Sequence, residues 1–247
     1  MIMVAPSGAR RQQTDHPALP ITLDEILDAA TACSAAGADA LHLHVREDDG
    51  SHSLDTGRYR EAIDALAQRL PDLRIQVTTE SVGIYTPAEQ HHCLSTLQPE
   101  WASVCVREIA ADPAVAARLY RDCAEQGTAI QHILFGPSCA AQLIRWWQDG
   151  TVATTQNAVI HVLGQYADSI HGTPEDVPAR RALIDTDNWM VCAFGDQEHA
   201  CLTAAHAAGG DLRVGLENSL GPGGDHRWAD NAESVTALRA RLNPAGN

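Results

Sequence analysis

The chain has 247 residues, 45% of them hydrophobic and only 4% aromatic, with 17 Lys and Arg against 32 Asp and Glu for a formal net charge of −15. The apolar fraction excludes a disordered tail, and the length admits one large domain or two small ones. The acidic balance argues against a general nucleic-acid surface or an anionic membrane surface, both of which reward Lys and Arg, and it favours small molecules as partners.

In chain order, short aliphatic runs alternate with capped amphipathic segments about a dozen residues long. Ile2 to Ala5 reads as a first strand, and Thr22-Leu23-Asp24-Glu25 as a capping box opening a helix that stops at Gly37. Ala40 to Val45 is the second strand, followed by a helix with Tyr59, Ile63, Leu66 and Leu70 at helical spacing, and Arg74 to Thr78 is the third. Thr86-Pro87-Ala88-Glu89 opens helix three with Pro at its first position. Trp101 to Val106 gives strand four, and Asp112-Pro113 opens a helix that turns Val115, Leu119 and Cys123 inward and ends at Gly127. Ala129 to Phe135 is strand five, a helix surrounds Leu143 to Trp147, and Ala158 to Leu163 is strand six. Thr173-Pro174-Glu175 opens a loosely patterned helix, Trp189 to Phe194 is strand seven, and Gln197 to Ala208 is a helix stopped by Gly209-Gly210. Leu212 to Leu216 is strand eight and Asp230 to Leu242 the last helix. Eight strand–helix units predict a single-domain (β/α)8 TIM barrel over residues 1–247, a fold of roughly 250 residues. A doubly wound open sheet is the alternative, but Ser7-Gly8-Ala9-Arg10 after strand one is not the Gly-rich phosphate turn that such sheets carry.

The seven cysteines form no C-x-x-C pair and sit in apolar stretches, so they read as reduced, buried thiols. With neither a leader pattern nor an apolar run of membrane-spanning length, the expectation is a soluble cytoplasmic protein.

The sharpest chemical feature is Leu41-His42-Leu43-His44-Val45-Arg46 at the end of strand two. Residues two apart on a strand face the same side, so His42 and His44 point into the barrel mouth while Leu41, Leu43 and Val45 face the helices. Such a pair serves as two metal ligands or as two hydrogen-bonded core histidines, and the carboxyl ends of barrel strands are where catalytic groups gather. Two imidazoles need a third ligand to hold Zn²⁺ with a position open for substrate, and Glu217 is the candidate. Alternation along strand eight puts Arg213, Gly215 and Glu217 on one face, and strands two and eight can share an interior layer. Glu217 alone also fits a capping or ion-paired carboxylate. Arg213 is placed either to clamp a carboxylate or enolate or to pair with Asp211 or Asp39. Thr78-Thr79-Glu80-Ser81 ends strand three, and Arg107-Glu108 follows strand four as substrate contact or structural ion pair. Ser7-Gly8 offers backbone amides to an anion or forms a plain turn. His91-His92 diverge around a helix and cannot share a metal, Trp146-Trp147 read as helix packing, and Ser138 lacks a base.

Pro20-Ile21-Thr22, Gly37-Ala38 leading into His42-Leu43-His44-Val45-Arg46, Gln76-Val77-Thr78-Thr79-Glu80, Ala193-Phe194-Gly195 and Arg213-Val214-Gly215-Leu216-Glu217-Asn218 together resemble the β-keto acid cleavage enzymes, the family typified by 3-keto-5-aminohexanoate cleavage enzyme. The resemblance spans nearly the whole chain. It implies a zinc-dependent (β/α)8 barrel that condenses a β-keto acid with acetyl-CoA to give acetoacetate and a new acyl-CoA, with His42, His44 and Glu217 as zinc ligands. It also implies a homo-oligomer, an active-site role for Arg213, and substrate contacts at Thr79 and Ser81; Ser7, Arg46 and Glu108 are further binding candidates from their places at strand ends. Two departures stand out. Asn218 follows the metal-binding glutamate where many members have a proton-transferring aspartate, and an amide cannot act as a general base. Gln131, followed by His132, occupies strand five where many members have glutamate. Glu80 is the expected replacement base, and Arg10, Arg11 and Arg46 are the mouth cations available to CoA. The competing readings are a zinc hydrolase or retro-aldolase on the same barrel, and a catalytically silent metal-binding member of the family.

Overall fold

A closed ring of eight parallel strands forms the centre of the computed structural model, which describes residues 1–165 and 170–243. The elements are β1 (Ile2–Val4), α1 (Leu23–Ala35), β2 (Ala40–Leu43), β3 (Val45–Arg46), β4 (His52–Ser53), α2 (Thr56–Arg69), β5 (Arg74–Thr78), α3 (Pro87–Leu97), β6 (Trp101–Cys105), α4 (Val106–Ile109), α5 (Pro113–Gln126), β7 (Ala129–Leu134), α6 (Pro137–Asp149), β8 (Ala158–Leu163), α7 (Asp176–Arg181), β9 (Trp189–Ala193), α8 (Glu198–Ala207), β10 (Asp211–Val214) and α9 (Asn231–Leu242). β1, β2 and β5 to β10 make the ring, which β10 closes by pairing Leu212 with Ile2 and Val214 with Val4. The result is the (β/α)8 barrel that the strand–helix alternation predicts. β3 and β4 stand outside the ring as a small antiparallel flap that pairs Val45 with Ser53 and Arg46 with His52.

Strand alternation divides the apolar side chains into two layers. Leu41, Leu43 and Val45 join the large cluster between ring and helices, together with Tyr59, Leu66, Leu119 and Val214. Met3, Cys105, Ile133, Ile160, Val162, Met190 and Phe194 fill the barrel interior. Helix starts follow local chemistry, with Thr22 and Thr86 each closing a capping box and Pro87 and Pro113 at first helical turns.

Among the boundaries that differ from the sequence reading, three stand out. Strand two ends at Leu43, and Val45 departs into the flap. Strand eight ends at Val214, because Gly215 adopts φ +144° and turns the chain. The helix after Thr173 is one short segment, α7. All seven cysteines are free and buried, and burial pushes thiols such as Cys33 and Cys93 up to about 12, the inert character expected of structural cysteines. Among the described residues, no helix is long and apolar enough to cross a membrane.

Candidate metal centre and substrate cleft

His42 reaches the barrel interior from β2, and His44 follows at the junction with the flap; both are buried and their ring centroids lie 5.0 Å apart. His42 Nδ1 donates to Gln76 Oε1 at 2.8 Å, and Gln76 Nε2 donates to Gln131 Oε1 at 3.0 Å. That relay fixes the tautomer and aims the lone pair of Nε2 toward Glu217, 3.8 Å away. Gln131, conspicuous in sequence as a departure on strand five, is thus the far end of an amide chain that orients His42. A Gln76→Leu substitution is expected to weaken divalent-metal affinity about 10- to 100-fold, read by competition with a chromogenic chelator.

Glu217 arrives from the turn after β10, not from a strand face. Its N–H donates to Ala5 O at 3.1 Å, Asn218 N–H to Gly215 O at 2.8 Å, and Leu216 N–H to Asn231 Oδ1 at 2.9 Å. Glu198, fully buried and with its carboxyl pushed well above the usual range by that burial, accepts from Gly215 N–H at 3.1 Å. Arg213 Nη2 donates to Glu217 Oε1 at 3.0 Å and to Asn218 Oδ1 at 3.3 Å. The alternative pairing of Arg213 with Asp211 or Asp39 is not realised. Asp211 holds the Met1 amino group at 2.6 Å, and Asp39 accepts from Ile2 N–H at 2.7 Å.

The donor set fits a divalent metal. One atom from each of His42, His44 and Glu217 lies within 4.8 Å of the other two, and all three residues are buried. Burial lowers the pKa of both imidazoles, that of His42 to about 3, so both are neutral ligands at pH 7. Burial alone would raise the Glu217 carboxyl, but Arg213 and the two imidazoles outweigh it and hold it well below the usual carboxylate range. His44 is the informative residue. Neither ring nitrogen makes a hydrogen bond, and Nε2 stands 3.6 Å from Glu217 Oε2. A buried imidazole without partners is costly unless a ligand completes it.

Beside these donors opens a small cleft, lined on its polar side by His42, Thr78, Glu80, Glu108, Arg213 and Glu217. Glu80 is pushed up to about 7 by burial and then by the Glu217 and Glu108 charges, with Arg10 Nε at 3.7 Å opposing. Glu108 Oε2 accepts from Ser81 N–H and Gln90 Nε2, both at 2.9 Å.

Other site residues singled out in the sequence stand outside the cleft lining. Alternation along β5 carries Gln76, Thr78 and Glu80 inward, so Thr78 lines the cleft, whereas Thr79 is buried on the other face with its hydroxyl toward Ser103 O at 3.5 Å. Ser81 Oγ accepts from Gly83 N–H at 3.2 Å and shapes the loop. Arg46 is buried and donates to backbone carbonyls of Gly50 at 2.9 Å, Arg11 at 3.1 Å and Ser7 at 3.5 Å, and to Gly8 O. It and Ser7 therefore tie the flap to the loop after β1 and do not line the cleft. Asn218 is buried behind Arg213, with Nδ2 donating to Arg213 O at 3.3 Å. His52 was not anticipated. Its Nε2 donates to Glu80 O at 2.7 Å and its ring centroid lies 5.3 Å from that of His44, so the flap buttresses both the metal centre and Glu80.

A (β/α)8 barrel whose strand carboxyl ends carry a buried two-histidine, one-carboxylate donor set beside a mixed polar and apolar cleft has the form of a barrel enzyme, with residues that could hold a metal ion. The chain belongs to the β-keto acid cleavage enzyme family, whose model matches residues 1–247. It is 27% identical over 233 residues to 3-keto-5-aminohexanoate cleavage enzyme of Fusobacterium nucleatum, covering 89% of this chain and 82% of that one. It is 29% identical over 231 residues to the enzyme of the same name from Acetoanaerobium sticklandii, covering 89% and 83%. A 3-oxoadipate:acetyl-CoA acetyltransferase of Cupriavidus necator is 30% identical over 109 residues, 44% of this chain and 38% of that one. Among solved structures, ObcA in ternary complex with a C4-CoA adduct and oxalate superposes with a TM-score of 0.69 at 16% identity, over 92% of this chain and 64% of ObcA, so this chain spans just under two thirds of it.

Proposed function

We propose that the protein is a zinc-dependent acyltransferase that exchanges acyl groups between a β-keto acid and acetyl-CoA, yielding acetoacetate and a new acyl-CoA. The observation that carries this reading is the buried His42, His44 and Glu217 donor set opening onto a cleft that also holds Arg213 and Glu80. The family membership and the names of the relatives support the chemistry. Zinc bound there would supply Lewis-acid polarisation of the keto acid's carbonyl.

The residues of the chain account for the remaining work. Arg213, held by Glu217 and Asn218, presents its positive charge to the substrate carboxylate. Glu80 takes the C2 proton of the keto acid, and the carbanion attacks the thioester carbonyl, expelling CoA thiolate. The thiolate then attacks the original acyl carbonyl, and the bond from that carbon to C2 breaks. The electron pair returns to C2, which recovers the proton from Glu80, so acetoacetate and acyl-CoA leave with atoms and charge balanced. Asn218 cannot take this role because it is an amide outside the cleft.

A carboxyl near 7 is poised for both halves of that proton transfer. The base form of Glu80 is populated above that value, so turnover is expected to rise as pH passes upward through about 7. Glu80→Gln is expected to lower turnover at least ~100-fold and to flatten this rise while zinc stays bound, read by acyl-CoA formation and elemental analysis. Near-normal turnover in that variant rejects Glu80 as the base.

A further inference from the structure

The half of the cleft facing away from the metal ligands is built from Cys105, Ile133, Phe135, Val162 and Phe194, side chains at the carboxyl ends of β6 to β9. Resting on the acyl exchange proposed above, we infer that this sector is the acyl pocket, and that it selects β-keto acids with a short, uncharged alkyl substituent and rejects those ending in a carboxylate. Once the carboxylate and carbonyl of the keto acid lie against Arg213 and the metal ligands, the acyl substituent must run along the wall that remains. Among the described lining residues, Arg213 is the single cation, and it is hydrogen-bonded to Glu217.

A terminal carboxylate on the substrate would therefore lose its hydration against five apolar side chains, and the cation beside that wall, Arg107, is engaged over the Phe135 ring, 3.6 Å from its centroid. Turning it to the opposite side brings it to Glu80 and Glu108, where like charge repels it. A methyl group meets neither penalty. Length is limited by the β-branched Ile133 and Val162, both buried in the interior cluster, whose stiff side chains cannot fold away to lengthen the pocket.

The test compares 3-oxohexanoate with 3-oxoadipate, which differ in a terminal methyl against a carboxylate, and with 5-amino-3-oxohexanoate. Titration calorimetry on the zinc-loaded protein without acetyl-CoA reads affinity independently of turnover. The expected result is at least ~100-fold tighter binding of 3-oxohexanoate than of 3-oxoadipate. Val162→Arg is expected to reverse that order. Because a new buried cation can impair folding, Ile133→Ala provides a second arm, expected to improve binding of 3-oxooctanoate relative to 3-oxohexanoate about tenfold. Selective binding of the alkyl acid without acyl-CoA formation upholds the pocket and rejects the acyl exchange. Acyl-CoA formed equally from the dicarboxylate upholds the exchange and overturns the pocket. Tighter binding of the amino acid would place the substituent against Glu80 and Glu108 and also overturn it.

Discussion

Zinc added to the apoprotein at about a thousand times its dissociation constant is expected to raise folding stability by about 4 kcal/mol, and the rise is expected to vanish in His44→Ala. The reason lies in what the three ligands do without the ion. His44 is buried with both ring nitrogens outside any hydrogen bond, an arrangement that costs roughly 1–3 kcal/mol for each such group. Truncating it removes that cost together with packing volume, so the metal-free variant is expected to stay within about 2 kcal/mol of the metal-free parent. Glu217→Ala differs, because it leaves the Arg213 guanidinium, 5% exposed, without the carboxylate it now contacts at 3.0 Å. Removing one partner of such a pair costs about 3–5 kcal/mol. Denaturant unfolding with chelator and with zinc separates the two cases. His44→Ala should lose the metal-dependent part alone, and Glu217→Ala should lose that part and intrinsic stability as well. Turnover should fall at least ~1000-fold in both, about 4 kcal/mol of barrier. Equal zinc-induced stabilisation of His44→Ala and the parent would remove His44 from the metal centre.

What sequence could and could not reveal about this centre follows from the range of the physics involved. The His42 and His44 pair is legible because strand alternation has a fixed period and a strand end has a fixed place in a barrel. Thr79 and Ser81 came from the family resemblance and not from the strand period, and the inward face of strand three continues through Thr78 and Glu80. Glu217 is legible as the third donor of the cluster, yet its route is not, because Gly215 at φ +144° ends the strand two residues earlier than its apolar pattern does. Arg46 looked like a mouth cation because backbone carbonyls leave no mark in a sequence, and four of them converge on its guanidinium. His52 and Glu198 were illegible for a related reason. One reaches the site through a two-residue strand pairing, and the other acts on a turn 17 residues away.

Gly215→Ala is expected to be the most damaging single-atom addition in the centre, costing roughly 3–5 kcal/mol of stability and at least ~100-fold in metal affinity. At φ +144° an L side chain is strained whatever the space, and here the space is also missing, since a Cβ would lie 2.3 Å from Ala5 O, 2.9 Å from Ala5 C and 3.0 Å from Asn231 Oδ1. Those atoms are the supports of the ligand turn. Ala5 O accepts from Glu217 N–H at 3.1 Å, and Asn231 Oδ1 accepts from Leu216 N–H at 2.9 Å while its Nδ2 donates to Pro6 O at 3.1 Å. The added methyl must therefore displace the groups that place the Glu217 carboxylate against two imidazoles. Gly224→Ala is the control. It also has positive φ, +63°, but nothing stands within 4 Å of its added carbon, so only the backbone penalty of about 1 kcal/mol applies. Denaturant midpoints and chelator competition on both variants distinguish the causes. If Gly215→Ala bound metal as tightly as Gly224→Ala, the turn would be compliant, and the position of Glu217 would have to be held by Arg213 alone.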